Sequence, residues 1–298
     1  MSSTRSPRRY GFLLMAAAVL VTLAAPVAAQ DPPDPNPGAL TITGAVDFTN
    51  AYMFRGIRQD DTGLITWPYF DLGIAAYSGD GGLKSVGINF GTWNSLHTGD
   101  AGSDGPSGKL WYESDFYATL GLGFGGGVTL GTTYTAYTSP NNMFTTVKEI
   151  AFKLGVDDSA HLGKAAVKPY ILIAREIDTD VNTGQADAGL KAGTYVELGV
   201  APSYALSKVS VTIPIKIGLS ASNYYETDVN PIAGTSEDNK FGYFSLAGVV
   251  TVPLGATSKF GAWNVHFGGE YQRLGADGAF NAGDQNRGMF SAGIGFSY

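Results

Sequence analysis

The sequence predicts an all-β chain folded as a transmembrane, antiparallel up-and-down β-barrel of about twelve strands, with short periplasmic turns and longer extracellular loops. Three observations predict it: an alternating terminal strand, connections whose lengths alternate, and a glycine- and aromatic-rich composition with no membrane helix in the mature chain. The last strand sets Phe290, Ala292, Ile294, Phe296 and Tyr298 on one face and Met289, Ser291, Gly293, Gly295 and Ser297 on the other. A strand apolar on one side and small or polar on the other is what hydrocarbon demands of every crossing of a barrel.

At the other terminus Arg5, Arg8 and Arg9 precede an apolar run from Phe12 to Leu23, and Val27-Ala28-Ala29 offers a small-residue cleavage site before Gln30. Residues 1–29 therefore read as a secretory signal peptide removed on export, followed by a Pro-rich extended leader over 30–39 and a barrel over 40–298. The expected location is the outer membrane of a Gram-negative bacterium. The strand-like segments fall near 40–57, 64–78, 83–96, 111–124, 127–138, 146–157, 167–177, 193–203, 208–221, 240–252, 262–273 and 288–298. Most show period two: Val209, Val211, Ile213, Ile215, Ile217 and Leu219 lie opposite Ser210, Thr212, Lys216 and Ser220. Pro214 and Pro253 require a bulge or a strand end.

The connections carry the topology. Those at 79–82, 125–126 and 205–207 are short, those at 158–166 and 253–261 moderate, and those at 97–110, 178–192, 222–239 and 274–287 long and polar, although the first of all is brief. Short turns on one side and long loops on the other place both termini on the periplasmic side. Aromatics at strand ends suggest two interfacial girdles, Tyr77, Tyr204, Trp263 and Tyr298 below with Tyr52, Phe54, Tyr112 and Tyr134 above.

Composition narrows the function classes. Of 19 basic residues the expected signal peptide takes three, leaving 16 against 26 acidic ones and a net charge of −10, which disfavours nucleic acid as a partner. The absence of cysteine excludes disulfides, thiolate catalysis, zinc–thiolate sites and a lipid-anchored cysteine. With 41 glycines in 298 residues, glycine is about twice its usual ~7% share. No cofactor is expected.

With the apolar faces given to lipid, the opposite faces turn Asp47, Arg55, Asp71, Glu113, Asp115, Glu149, Lys153, Glu197, Lys216 and Glu270 into the lumen as candidate pore-lining residues. A Lys or Arg facing lipid at mid-membrane costs about 2–4 kcal/mol, which favours the inward choice for Lys153 and Lys216. Seven acids against three bases imply a mild preference for cations. The alternative is a plug of paired charges that closes a small barrel.

The segment from Asp47 to Gln59, Asp-Phe-Thr-Asn-Ala-Tyr-Met-Phe-Arg-Gly-Ile-Arg-Gln, resembles the opening strand of the TorF-like outer-membrane porins, whose pattern is Ser-Asp-Tyr-x-Phe-Arg-Gly-x-x-Gln. Gly91-Thr-Trp-Asn-Ser95, Tyr112-Glu-Ser-Asp-Phe-Tyr117 and Tyr134-Thr-Ala-Tyr-Thr-Ser-Pro140 are similar to the family's later landmarks, so the resemblance covers about residues 47–155. Ala51 stands where the family usually has Asp. The resemblance implies an outer-membrane channel and no particular substrate. The terminal strand likewise resembles the C-terminal signal read by the barrel-assembly machinery, carried here by Phe290, Ile294, Phe296 and Tyr298.

Catalysis has few candidates. His97 falls in a loop, His161 near a turn and His266 on an inward face, and no motif places a Ser or Asp beside any of them. The segment Asp178-Thr-Asp-Val-Asn-Thr-Gly184 spaces oxygen ligands as calcium loops do, but its glycine is one position late and Gly189 supplies no bidentate carboxylate, so it reads as an acidic surface loop. The reading of the sequence is a barrel in contact with outer-membrane lipid that passes small polar solutes or ions. A plugged structural or surface-interaction barrel is the alternative, and a barrel enzyme comes third.

Overall fold

In a computed structural model the chain is described at residues 38–102, 109–177, 185–255, 260–275, 281 and 283–298, so the expected signal peptide and nearly all of the expected leader lie outside the described residues. The strands in chain order are β1 (Leu40–Thr49), β2 (Tyr52–Phe54), β3 (Ile57–Asp60), β4 (Ile65–Ser78), β5 (Leu83–His97), β6 (Trp111–Phe124), β7 (Val128–Thr138), β8 (Val147–Val156) and β9 (Tyr170–Glu176). They continue with β10 (Thr194–Val200), β11 (Ser203–Leu206), β12 (Val209–Thr212), β13 (Ile215–Ser222), β14 (Glu226–Asn230), β15 (Thr235–Asp238), β16 (Phe241–Pro253), β17 (Ala262–Leu274) and β18 (Asn286–Ser297).

Neighbours in sequence pair antiparallel around the sheet, and β16 joins β17, β17 joins β18 and β18 joins β1, so the sheet closes on itself. Its fourteen segments make twelve crossings, because β10 with β11 is one strand broken at Ala201-Pro202 and β12 with β13 another broken at Ile213-Pro214. Proline cannot donate to a ladder, so each break falls where the sequence forces it, and Pro253 sits at the last position of β16. Closure leaves no edge, which is the condition for strands in hydrocarbon.

The outer face is apolar: Phe48, Phe70, Phe90, Phe116, Phe152, Leu154, Leu198, Leu246, Phe267, Phe290 and Ile294 are all exposed, Phe116 by 58%. Those side chains alternate with inward residues that are buried or half-buried, as in β18, where Met289 and Ser291 are buried beside exposed Phe290. An uninterrupted apolar belt of this kind is lipid-facing surface.

The opening strand is shorter than its alternation suggests. Expected over 40–57, it stops at Thr49, and the expected brief connection to β4 is residues 50–64, which turn inward and form the β2–β3 hairpin. Phe54 pairs with Ile57 across Arg55-Gly56, whose φ angles of 49° and 80° both lie in the left-handed region of a two-residue hairpin turn. Tyr52 and Tyr112 are buried in the interior and Phe54 meets Tyr137 edge to face, so of the expected upper girdle only Tyr134 faces out. A bulge explains Tyr112: Ser95 pairs with Glu113 and Leu96 with Trp111, leaving Tyr112 unpaired and turned inward.

The barrel seam is made by the two ends of the chain, where Ile42 N–H donates to Tyr298 C=O at 2.6 Å and Tyr298 N–H to Ile42 C=O at 2.7 Å. Deleting Phe296 to Tyr298, or Tyr298→Asp, is expected to block closure while leaving export intact. The loss of heat-modifiable gel migration reports it, and a folded species at normal levels contradicts it.

Candidate functional site in the barrel lumen

The lumen divides into two halves. Towards the long loops it is a packed interior: Ala51, Met53 and Ile57 of the hairpin pack among Tyr195, Tyr224, Tyr225, Tyr243, Leu274 and Met289. A second cluster joins Tyr52 to Ile65, Trp67, Ala101 and Tyr112. Towards the termini, Gly87, Gly121 and Gly131 lie side by side on β5, β6 and β7, and a methyl group added at any of them would meet only backbone, at 3.8–4.0 Å. Three adjacent inward glycines thus leave space where side chains would otherwise fill a small barrel.

The hairpin is pinned from around the wall. Arg55 donates from Nη1 and Nη2 to the two oxygens of Glu149 on β8 at 2.6 and 2.8 Å, donates to the Tyr224 hydroxyl at 2.9 Å, and stacks 4.3 Å from the Tyr195 ring. The Tyr225 hydroxyl donates to the Arg55 carbonyl at 2.8 Å, and Asn281 receives Arg58 N–H and donates to the Gly56 carbonyl, both at 3.1 Å. On the opposite side the Tyr112 hydroxyl donates to Gln59 at 2.8 Å, and Arg287 pairs with Asp61.

Asp60 anchors the base of the hairpin. Its Oδ2 lies 2.8 Å from His97 Nδ1, and His97 Nε2 lies 2.6 Å from Ser95 Oγ. A carboxylate only accepts, so Nδ1 carries the proton and Nε2 accepts from the serine hydroxyl. No sequence motif places a Ser or Asp beside a histidine, yet the fold does: Ser95, His97 and Asp60 form a nucleophile–base–acid series. His97 is also a strand residue rather than a loop residue. The series lacks access, since Ser95 and His97 are each 0% exposed and Trp67 N–H already donates to Ser95 Oγ at 3.0 Å.

The expected lumenal residues occupy inward positions with distinct partners. Asp47 bonds His266 at 2.5 Å across Gly293, which pairs with both and has no side chain to obstruct them. Asp71 accepts from Asn89 at 2.7 Å. Glu197 accepts three tyrosine hydroxyls, Tyr195 at 2.6 Å, Tyr170 at 2.7 Å and Tyr243 at 2.9 Å. Glu270 accepts from Ser245 at 2.5 Å and Gln272 at 2.8 Å, Lys153 lies 4.1 Å over the Tyr170 ring, and Lys216 lies 5.7 Å from that of Tyr243. Glu113 and Asp115 are buried with no salt-bridge partner among the described residues, and Asp115 Oδ1 has no hydrogen bond. Arg55, expected on the wall, stands instead at the hairpin tip because β1 ends earlier.

Two loops clasp over this interior. Asp187 accepts N–H of Glu226 at 2.7 Å and of Gly189 at 2.8 Å, while Glu226 accepts N–H of Leu190 at 2.7 Å and Lys191 at 2.8 Å. Neither acid was singled out from the sequence, because a loop carboxylate that binds backbone amides has no periodic signature. The calcium-like segment 178–184 lies outside the described residues.

No family model matches the chain, and no curated protein does. Among solved structures the fold is similar to an outer-membrane channel of Pseudomonas putida F1, at 13% identity over 92% of this chain and 100% of that one, with a TM-score of 0.49. It is also similar to the NanC porin, at 11% identity over 87% and 99% of the two chains with a TM-score of 0.42. The outer-membrane phospholipase dimer of Salmonella typhi matches at 10% identity over 85% and 90%, with a TM-score of 0.44. These are outer-membrane barrels of mixed activity, and the likeness is one of fold.

Burial pushes the Asp187 carboxyl up to about 7, against the two amides that favour its anion, and nearby Glu176 and Glu226 push the same way as burial. Its folded pKa thus exceeds its unfolded one, so the clasp is firmest when protonated and weakens as pH rises from the unfolded value through about 7. Amide exchange over 185–193, corrected for intrinsic rates, should be slower at pH 5 than at pH 8, and Asp187→Asn should flatten that difference.

Proposed function

We propose that the chain is an outer-membrane channel for small polar solutes that is closed at rest by the β2–β3 hairpin. One observation carries this reading: the same lumen is plugged by the hairpin in its long-loop half and walled by three adjacent glycines in its terminal half. The terminal half serves as a periplasm-facing vestibule, and passage requires the hairpin to move. The plug favours reversibility, because its neutral polar pins exchange for water when the hairpin leaves, whereas apolar packing does not.

The charges support a cation preference. Arg55 is neutralised by Glu149, and Lys153 and Lys216 lie within the electrostatic reach of Glu197. That leaves Asp71, Glu113 and Asp115 on β4 and β6 without a basic partner among the described residues. In a narrow lumen with low-dielectric walls such carboxylates draw cations.

Catalysis is disfavoured by geometry. Ser95 can receive a substrate only if the hairpin opens, yet the hairpin carries Asp60, so opening withdraws the acid that orients His97. The series acts as a fastening. A permanently closed structural barrel is the second reading, favoured by the tyrosine packing around Ala51, Met53 and Ile57.

In planar bilayers the wild type should show low conductance, raised by Arg55→Ala, since breaking one side of a buried pair costs about 3–5 kcal/mol. In the conducting variant, adding Glu113→Gln with Asp115→Asn should shift the reversal potential in a salt gradient towards anions. The shift should shrink near 1 M salt, where the Debye length is ~3 Å. A folded Arg55→Ala protein that stays silent favours the structural reading.

A further inference from the structure

The groups that recognise Arg55 lie outside the hairpin, apart from its neighbour Phe54, whose ring is 5.0 Å away. Glu149 on β8 takes the guanidinium in a fork, at 2.6 and 2.8 Å, and is itself held by the Tyr137 hydroxyl on β7 at 3.3 Å. Tyr195 on β10 supplies the ring face at 4.3 Å, and Tyr224 after β13 accepts from Nη1 at 2.9 Å. The wall and the connection after β13 therefore form a cage of one carboxylate and three tyrosines that the hairpin fills. If the hairpin withdraws, Glu149 is left buried without a counter-charge, which is unfavourable unless another cation takes the place.

We propose that this cage is a guanidinium-binding site whose tethered occupant is Arg55, and that a free alkylguanidinium or arginine side chain occupies it when the hairpin is displaced. The inference rests on the displaceable hairpin proposed above. A planar fork that bonds both carboxylate oxygens while stacking on a ring suits guanidinium, whereas an ammonium offers a compact, strongly hydrated charge. The tether presents Arg55 at an effective concentration in the millimolar range, so a free ligand competes only at similar concentrations.

Methylguanidinium is the probe. Measured by calorimetry on the full chain in detergent, Arg55→Ala should bind it at least roughly tenfold better than the wild type does. Adding Glu149→Gln should weaken binding roughly tenfold or more, and methylammonium should bind less well than methylguanidinium. Heat-modifiable migration verifies folding, and Arg55→Gln replaces Arg55→Ala if the latter does not fold. On the wild type itself, methylguanidinium should speed amide exchange over 52–60 more than methylammonium does, an arm that needs no variant. A folded Arg55 variant that binds no better than wild type, binding unaffected by Glu149→Gln, or equal exchange with both cations overturns the cage. Bilayer recordings separate the two ideas: a variant that binds yet stays silent retires the channel and keeps the cage, and one that conducts without binding retires the cage alone.

Discussion

Hydrocarbon permits no unpaired backbone amide and no charged outward side chain without a cost, and both demands are met here by closing twelve strands of period-two sequence. Everything else follows from where that closure sends polarity. Each strand exports its Phe and Leu side chains to lipid and collects its Asp, Glu, Lys and Tyr side chains inside, so the barrel acquires a charged interior whether or not it conducts. A barrel of this size can leave that interior wet or fill it. This chain fills one half with its own first connection and sets three adjacent glycines into the wall of the other.

The filling is chemically matched to the wall. Buried carboxylates are costly unless paired or hydrogen-bonded, and the hairpin supplies Arg55 to Glu149 while the tyrosine hydroxyls serve Glu197. Glu113 and Asp115 have no such basic partner among the described residues, and they lie beside Tyr52. The plug thus gives one wall of the lumen a counter-charge and leaves the Glu113 and Asp115 carboxyls of another without one. In the proposed channel this asymmetry assigns the cation preference to the wall strands rather than to the hairpin.

Most of the barrel was legible in the sequence because lipid writes its demand as strict alternation. The segments at 64–78, 83–96 and 111–124 correspond closely to β4, β5 and β6, and the break expected at Pro214 is present, while Pro202 breaks the neighbouring strand, expected unbroken over 193–203, for the same want of a donor. The opening strand was overrun because Tyr52-Met53-Phe54-Arg55 continues the alternation across the point where the chain leaves the sheet. The available signal was Arg55-Gly56 between apolar residues, a residue–glycine pair of the kind that makes a two-residue turn. Ser95 and His97, two residues apart on one strand, had to share a face, and that much was readable; Asp60 reaches them only through the hairpin. The bulge at Tyr112 and the amide-binding carboxylates Asp187 and Glu226 depend on tertiary placement and leave no periodic trace.

Why the hairpin should be held by charges rather than by packing alone is an energetic question. A plug fixed only by apolar side chains would be stable but would expose those side chains to water each time it moved, at about 25 cal/mol per Å². A plug fixed only by surface-type ion pairs would be weak, at about 0–1 kcal/mol each. This hairpin combines a modest apolar contact through Ala51, Met53 and Ile57 with one buried bidentate pair and hydrogen bonds from Tyr225, Asn281, Tyr112 and His97. The polar bonds fix its register, and their net worth is small because water replaces them. The buried Arg55–Glu149 pair is the exception: its separation strands a charge on each side, so the position of the plug is coupled to whatever cation can stand in for Arg55.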